Sequence, residues 1–265
     1  MKDSESRSTK NRRPRDPAPA TSVAKAELPA STLLLFDIDG TLVLTGGAGG
    51  RAMSMAFAEV FGIRDAFRGI TMAGRTDAWI VGDAVSAHGI PPDSPDLARF
   101  REVYFRHLVS ELQQPGNGRK GTMPGVRELL DTLAARDDVY LALLTGNYES
   151  GARLKLEYYD LWRYFACGAF GDDAPQRNGL VSRAVTQVAA SGGPAFANRD
   201  AVVIGDTPLD VECASYCGAR SLAVATGSHS VDQLREAGAD VVLQDLGDTQ
   251  QVLRIISDFK LRTAD

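Results

Sequence analysis

Five short apolar runs, at residues 33–36, 140–144, 201–204, 221–225 and 240–243, recur along the chain, separated by stretches with helical periodicity. A half-exposed strand would alternate polar and apolar residues. Runs this continuous are strands buried on both faces. Such strands need helices on both sides, and the intervening segments supply them. Residues 124–136 place Pro124 in a first turn and keep Val126, Leu129, Leu130 and Leu133 on one face. Residues 147–159 start with Asn147 as a cap, and Ser230 with Gln233 has capping-box spacing ahead of Leu234. The expected fold class is α/β: a Rossmann-like, doubly wound parallel sheet, with its sites at the carboxyl ends of the strands.

Residues 46–120 break this rhythm. They contain no strand pattern and predict helices over 51–61, 76–88 and 96–113, the first two stopped by Gly62 and Gly89. Gly46, Gly47, Gly49 and Gly50 precede them, and PGNGRKG (115–121) follows. The expectation is an all-helical cap, residues 46–117, hinged at both flanks as a mobile lid on a discontinuous core of residues 32–45 and 118–265. Residues 47–52, GAGGRA, also fit the dinucleotide pattern G-x-G-x-x-A. That pattern needs its first glycine directly after a strand, whereas residues 37–45 intervene, so the glycines are read as a hinge.

Charge and composition exclude several classes. The chain of 265 residues has net charge −5; residues 1–31 carry seven Lys/Arg against four Asp/Glu, leaving −8 on the rest. No basic domain is present for nucleic acid, and no apolar run approaches the ~18–20 residues of a membrane span. Residues 1–31 are polar and Pro-rich, read as a disordered tail without the apolar segment of a secretory signal. Arg12, Arg13 and Arg15 form a basic cluster that is either solvated, the plainer reading, or meets an acidic partner. Cys167, Cys213 and Cys217 make no disulfide framework. Their usage fits a reducing compartment, hence a cytoplasmic location, and Cys213 and Cys217 are read as packing residues. His88, His107 and His229 are too scattered for a metal set; only His229, in a loop after a strand, could lie near a site.

The chemistry is concentrated at strand ends. Residues 33–42, LLLFDIDGTL, end an apolar run in Asp37 and Asp39. The period of two points both acids to one side. Two carboxylates that close to one reacting atom suit covalent catalysis, one as nucleophile and one as acid/base; the plainer reading is an Asp-rich turn. LLTGN (143–147) puts the Thr145 hydroxyl at another strand end, as a phosphate-oxygen donor or a helix cap. VVIGDTPLD (202–210) puts Asp206 and Asp210 four residues apart at a helix start. Asp37, Asp206 and Asp210 together would repel one another without a cation, and hard oxygen ligands in that number suit Mg²⁺.

DIDGT, LLTGN and GDTPLD, in that order and with a helical insert after the first, resemble motifs one, two and four of haloacid-dehalogenase-like phosphatases of the phosphoglycolate-phosphatase type. The resemblance covers about residues 33–245, including VATGSHSVDQLREAGADVVLQDLGD near the C-terminus. It implies that Asp37 attacks phosphorus to form an aspartyl-phosphate. Asp39 would then protonate the leaving alkoxide and later deprotonate water. Mg²⁺ would be held by Asp37, the Asp39 carbonyl, Asp206 and Asp210, with Gly40, Thr41, Gly146 and Asn147 around the substrate. Asp39 is expected to stay protonated through nearby negative charge. The family's third motif, a Lys often before Pro, is missing. Among the cations ahead of Asp206, Arg177 in APQRNGL is best placed by analogy, Arg183 is second, and Lys155 in mid-helix is read as structural. Arg75, in AGRTD, resembles a cap segment facing the core; it either meets a substrate carboxylate or hydroxyl, or is a surface residue before the Thr76 cap.

The implied activity is Mg²⁺-dependent hydrolysis of a small phosphomonoester, phosphoglycolate by default, with that small-molecule ester as partner, neither nucleic acid nor membrane, and oligomeric state open. The second acid, Asp39, argues against dehalogenation, and the absence of Lys between residues 46 and 119 argues against a Schiff-base phosphonatase. A β-phosphoglucomutase-like mutase shares both acids and the cap and is the enzymatic alternative. A non-catalytic binding protein on the same fold is the alternative of another class.

Overall fold

The structure, a computed structural model, describes residues 32–172 and 176–263. The expected tail, residues 1–31, lies outside the described residues. The strands are β1 (Thr32–Phe36), β2 (Val43–Thr45), β3 (Lys120–Thr122), β4 (Val139–Leu144), β5 (Gly168–Ala169), β6 (Ala201–Gly205), β7 (Arg220–Val224) and β8 (Val241–Leu243). The helices are α1 (Ala48–Phe61), α2 (Asp77–Ala87), α3 (Asp96–Gln113), α4 (Val126–Ala134), α5 (Glu149–Tyr158), α6 (Leu180–Ala190), α7 (Pro208–Cys217), α8 (Val231–Glu236) and α9 (Thr249–Thr263).

Six strands form one sheet in the order β5-β4-β1-β6-β7-β8, every pair parallel. The five expected strands are all present, and the two-residue β5 adds an edge. β1 explains why the runs read as continuously apolar: residues 33–36 are fully buried, and successive side chains enter opposite cores. Leu34 and Phe36 pack with Leu129, Leu130 and Leu133 of α4, Leu156 of α5 and Ile256 of α9. Leu33 and Leu35 pack on the other face with Val181 and Ala184 of α6 and Ala214 of α7. From β1 the chain builds outward through β4 and β5, then returns to β6 on β1's other side. That reversal opens a crevice at the carboxyl ends of β1, β4 and β6.

The helical segment lies between β2 and β3. Its helices enclose their own core: Phe57 meets the rings of Phe61, Phe67 and Phe100, and Phe100 stacks on Tyr104. α3 has the expected bounds. Thr76 caps α2 by accepting from the Trp79 N–H at 3.1 Å.

Beside the expected hinge segments lies a ribbon that the sequence pattern did not show: β2 and β3 pair antiparallel, Val43 with Thr122 and Thr45 with Lys120. Three residues are too few to show a strand period, yet their backbone groups still need partners. Gly49 and Gly50 lie inside α1 rather than in a connector. This helix follows a ribbon strand, not a strand of the parallel sheet, so GAGGRA lacks the context of a dinucleotide site. Asn147 is not the cap of α5: that position is Tyr148, without a side-chain cap bond, because the Asn147 amide is committed elsewhere.

The helical segment is tied down onto the strand ends. The Asp77 N–H donates to the Gly146 carbonyl at 2.7 Å, and the Tyr148 N–H donates to Asp77 Oδ2 at 2.9 Å. Arg101 of α3 pairs with Asp172 and stacks 4.1 Å above the Tyr148 ring. Among the described residues no helix is long and apolar enough to cross a membrane.

Candidate active site

Each of the three central strands ends in one sequence motif. Asp37 follows β1, Thr145 follows β4 and Asp206 follows β6; the register pairs Phe36 with Leu143 and with Ile204, so the three ends lie side by side. Asp37, Asp39, Asp206, Thr145, Asn147, Lys155 and Arg177 line one cavity of about 550 Å³ under the helical segment. Met53, Met72, Ile80 and Tyr104 form its far wall.

Asp37 is 4% exposed. Arg177 Nη2 lies 3.2 Å from Asp37 Oδ1 and also bonds Asp210 Oδ1. Burial pushes the Asp37 carboxyl up to about 6; Arg177 opposes this, while Asp210 and Asp39 add to it. Asp206 is driven well above the ordinary carboxylate range by burial and by its neighbours Asp210 and Asp37, against a hydrogen bond from Thr41. That bond runs from Thr41 Oγ1 to Asp206 Oδ1 at 3.2 Å. Burial works against the Arg177 charge, but Asp210 and Asp37 more than offset it and hold the guanidinium protonated.

Oxygens of Asp37, Asp206 and Asp210 all lie within 4.8 Å of one another. Their mutual repulsion and their hard-oxygen chemistry fit a divalent cation. The three are not equivalent. Asp210 Oδ2 already accepts from the Thr207 N–H at 3.0 Å and the Thr207 hydroxyl at 2.7 Å, capping α7, while its other oxygen takes Arg177. Asp37 and Asp206 keep more of their valence open. Gly40 allows the cluster to close: its φ is +87°, and a Cβ there would run into the Asp206 carboxylate. The Gly40 carbonyl accepts from Thr226 Oγ1 at 2.5 Å.

Thr145 is fully buried, and its Oγ1 accepts from the Asn147 N–H at 3.3 Å and Asn147 Nδ2 at 2.8 Å. Its own proton is thereby left to donate to a ligand. Gly146 leaves room for the backbone of Arg75, which a Cβ would strike.

Arg177 sits in a 3₁₀ turn ahead of α6, 2% exposed, and its Nη1 also donates to the Gly74 carbonyl at 2.9 Å. Cys213 Sγ donates to the Arg177 carbonyl at 3.0 Å and Cys217 Sγ to the Asn178 carbonyl at 3.1 Å, so α7's cysteines anchor this turn. Arg183 is exposed on α6. Arg75 is part of the cavity wall, with its guanidinium 2.7 Å from Asp83 and 4.0 Å above the Trp79 ring. His107 pairs with Glu59, His88 faces the Ala66 carbonyl, and His229 faces Ser228.

Lys155, read as structural, is 4% exposed and aimed into the cavity, its Nζ 2.5 Å from Asp39 Oδ2 and 2.6 Å from Asn147 Oδ1. The surroundings of Asp39 therefore differ from the negative ones expected, because a buried ammonium touches it. The sequence offered two cations on the helix directly after LLTGN, Arg153 and Lys155, and the facing of Lys155 toward Asp39 depends on a contact 116 residues away.

The arrangement comprises a buried carboxylate beside a guanidinium, a second carboxylate held by donors, an acidic cluster suited to a cation, and a hydroxyl with a free proton. This is the equipment of phosphoryl transfer. Comparison with known proteins agrees. The sequence is 27% identical over 218 residues to the phosphoglycolate phosphatase of Agrobacterium fabrum, covering 82% of this chain and 90% of that protein. The fold is similar to that of a hydrolase from Pseudomonas syringae, with a TM-score of 0.63 and 22% identity over 85% of this chain and 99% of that one. It is also similar to CbbY from Rhodobacter sphaeroides in complex with phosphate, with a TM-score of 0.62 and 20% identity over 82% of this chain and 96% of that one. The sequence model of the haloacid dehalogenase-like hydrolases matches residues 34–215, and the chain belongs to that family.

Proposed function

We propose that this protein is a Mg²⁺-dependent phosphatase that hydrolyses a small phosphomonoester through a phosphorylated Asp37. The observation that carries the reading is the pairing of buried Asp37 with Arg177 at 3.2 Å, beside Asp206 and facing the same cavity as Asp39. An Asp37 oxygen attacks phosphorus in line with the departing ester oxygen, and Asp39 gives that oxygen its proton. Water then attacks the phosphorus of the acyl phosphate while Asp39 takes its proton, and inorganic phosphate leaves Asp37 free. Arg177 and the Thr145 hydroxyl neutralise and orient the transferring oxygens. Asp37, Asp206 and the Asp39 carbonyl would hold Mg²⁺, with Asp210 behind them; when bound, the ion supplies positive charge between nucleophile and phosphate.

Phosphoglycolate is the first substrate to try, because the Agrobacterium fabrum relative carries that activity in its name. The test is phosphate release from a panel of phosphomonoesters, with Mg²⁺ and with EDTA. Release should require the metal and should vanish in Asp37→Asn. Asp39→Asn should still take up a phosphoryl group from an ester with a good leaving group. Full activity of purified Asp37→Asn would refute the nucleophile assignment.

A further inference from the structure

Two donors converge on a single oxygen of Asp39. Lys155 Nζ approaches Asp39 Oδ2 at 2.5 Å, and Asn147 Nδ2 approaches the same atom at 2.8 Å. Lys155 also donates to Asn147 Oδ1 at 2.6 Å, which closes a three-membered ring of side chains and fixes which way the amide faces. Asn147 passes the constraint on to Thr145 Oγ1 at 2.8 Å. The ammonium is roofed by the helical segment: a Cβ on Gly49 would lie 3.5 Å from Lys155 Nζ and 3.9 Å from the Tyr104 hydroxyl. Burying an ammonium is costly unless charge and hydrogen bonds compensate it. Here the compensating groups are Asp39 and Asn147, which bond it, and the nearby carboxyl of Asp77. Asp39 keeps 41% of its side chain exposed although its partner is at 5%. One carboxylate oxygen is thus tied down, and the open part of the group faces the cavity.

We infer that Lys155 is a positioning residue that pins Oδ2 of Asp39, so that the opposite oxygen, Oδ1, exchanges the proton with the ester and with water. In the first step the Oδ1–H bond breaks as the phosphorus–ester oxygen bond breaks, and the proton goes to the departing alkoxide. In the second step Oδ1 receives a proton from the attacking water. Lys155 keeps its own protons throughout and meets no reacting atom. The assignment rests on the phosphatase reading above.

The test compares kcat/KM for phosphoglycolate, whose leaving alkoxide needs a proton, with that for p-nitrophenyl phosphate, whose leaving phenolate does not. Because kcat/KM reports steps up to loss of the leaving group, any uniform loss of binding cancels in the ratio of the two. In Lys155→Met, phosphoglycolate should lose about ten- to a hundredfold relative to p-nitrophenyl phosphate, as misplacing a general acid requires. In an Asp39→Asn background the same change should leave the ratio where it is, since the group being positioned is gone. A ratio unchanged in Lys155→Met, or one that falls equally in the Asp39→Asn background, overturns the assignment. Should Lys155→Met fail to fold, Lys155→Gln carries the same comparison. Wild-type protein inactive on both esters would break the phosphatase reading; active wild type with an unmoved ratio would break only the role of Lys155.

Discussion

Asp77 offers a measurement that needs no substrate. It opens α2 and is 7% exposed, with its Oδ2 accepting the Tyr148 N–H. Burial pushes its carboxyl up to about 7; Lys155 and the Tyr148 bond oppose this, and Asp39 and Asp172 add to it. The folded protein therefore holds this proton more tightly than the unfolded chain does. The stability that comes with it is complete below about pH 4 and is lost as the pH rises to about 7. Moving a carboxyl from its ordinary 3.8 to about 7 corresponds to about 4 kcal/mol once the group is fully ionised. Asn keeps a carbonyl for the Tyr148 N–H and carries no charge, while giving up about 0.5 kcal/mol of favourable interaction with the helix dipole. Urea unfolding of wild type and Asp77→Asn, both in EDTA, should give nearly equal stabilities at pH 4. By pH 8 the variant should be about 3 kcal/mol more stable. Asp37 and Asp206 also titrate high but are common to both proteins and cancel in the difference. A difference that stays flat between pH 4 and 8, or a variant less stable at pH 8, refutes the reasoning.

Three further outcomes follow from the geometry. Arg177→Met leaves Asp37 and Asp210 buried without their counter-charge, so the metal-free protein should lose about 3–5 kcal/mol in denaturant titrations, and an unchanged midpoint would contradict the pairing. Gly40→Ala forces a methyl group into Asp206 from a backbone at φ +87°; isothermal titration should show Mg²⁺ binding weakened at least tenfold, and wild-type affinity would show that the cluster can shift aside. Because the Arg75 guanidinium is taken up by Asp83 and Trp79, Arg75→Ala should change KM on the best substrate by less than about twofold, whereas a KM raised tenfold would mean that this side chain swings onto the ligand.

The sheet was legible because double-sided burial leaves an unmistakable mark: β1 reads as four consecutive apolar residues, and all four are fully buried. Asp37, Thr145 and Asp206 were legible for a related reason, since each directly follows such a run and parallel strands bring their carboxyl ends together. Arg177 was reached only by analogy, for its spacing carries no pattern; a 3₁₀ turn held by Cys213 and Cys217 puts it beside Asp37. The cap reading of Asn147 failed, and the contact of Lys155 with Asp39 went unseen, for one physical reason: both side chains are set by a partner, Asp39, more than a hundred residues earlier. The β2–β3 ribbon was invisible because it carries three residues a side and no apolar alternation.

That small ribbon makes the helical segment detachable in principle. Thr45 and Lys120 stand opposite each other in an antiparallel register, so a short hairpin turn could join them directly. The ladders of the parallel sheet would be kept, while the bonds from Asp77 to Gly146 and from Arg177 to Gly74 at the strand ends would be lost. The chain is therefore built as a fixed chemical platform with a socket at one corner. Whatever is plugged into that socket can change in length without re-threading a single strand.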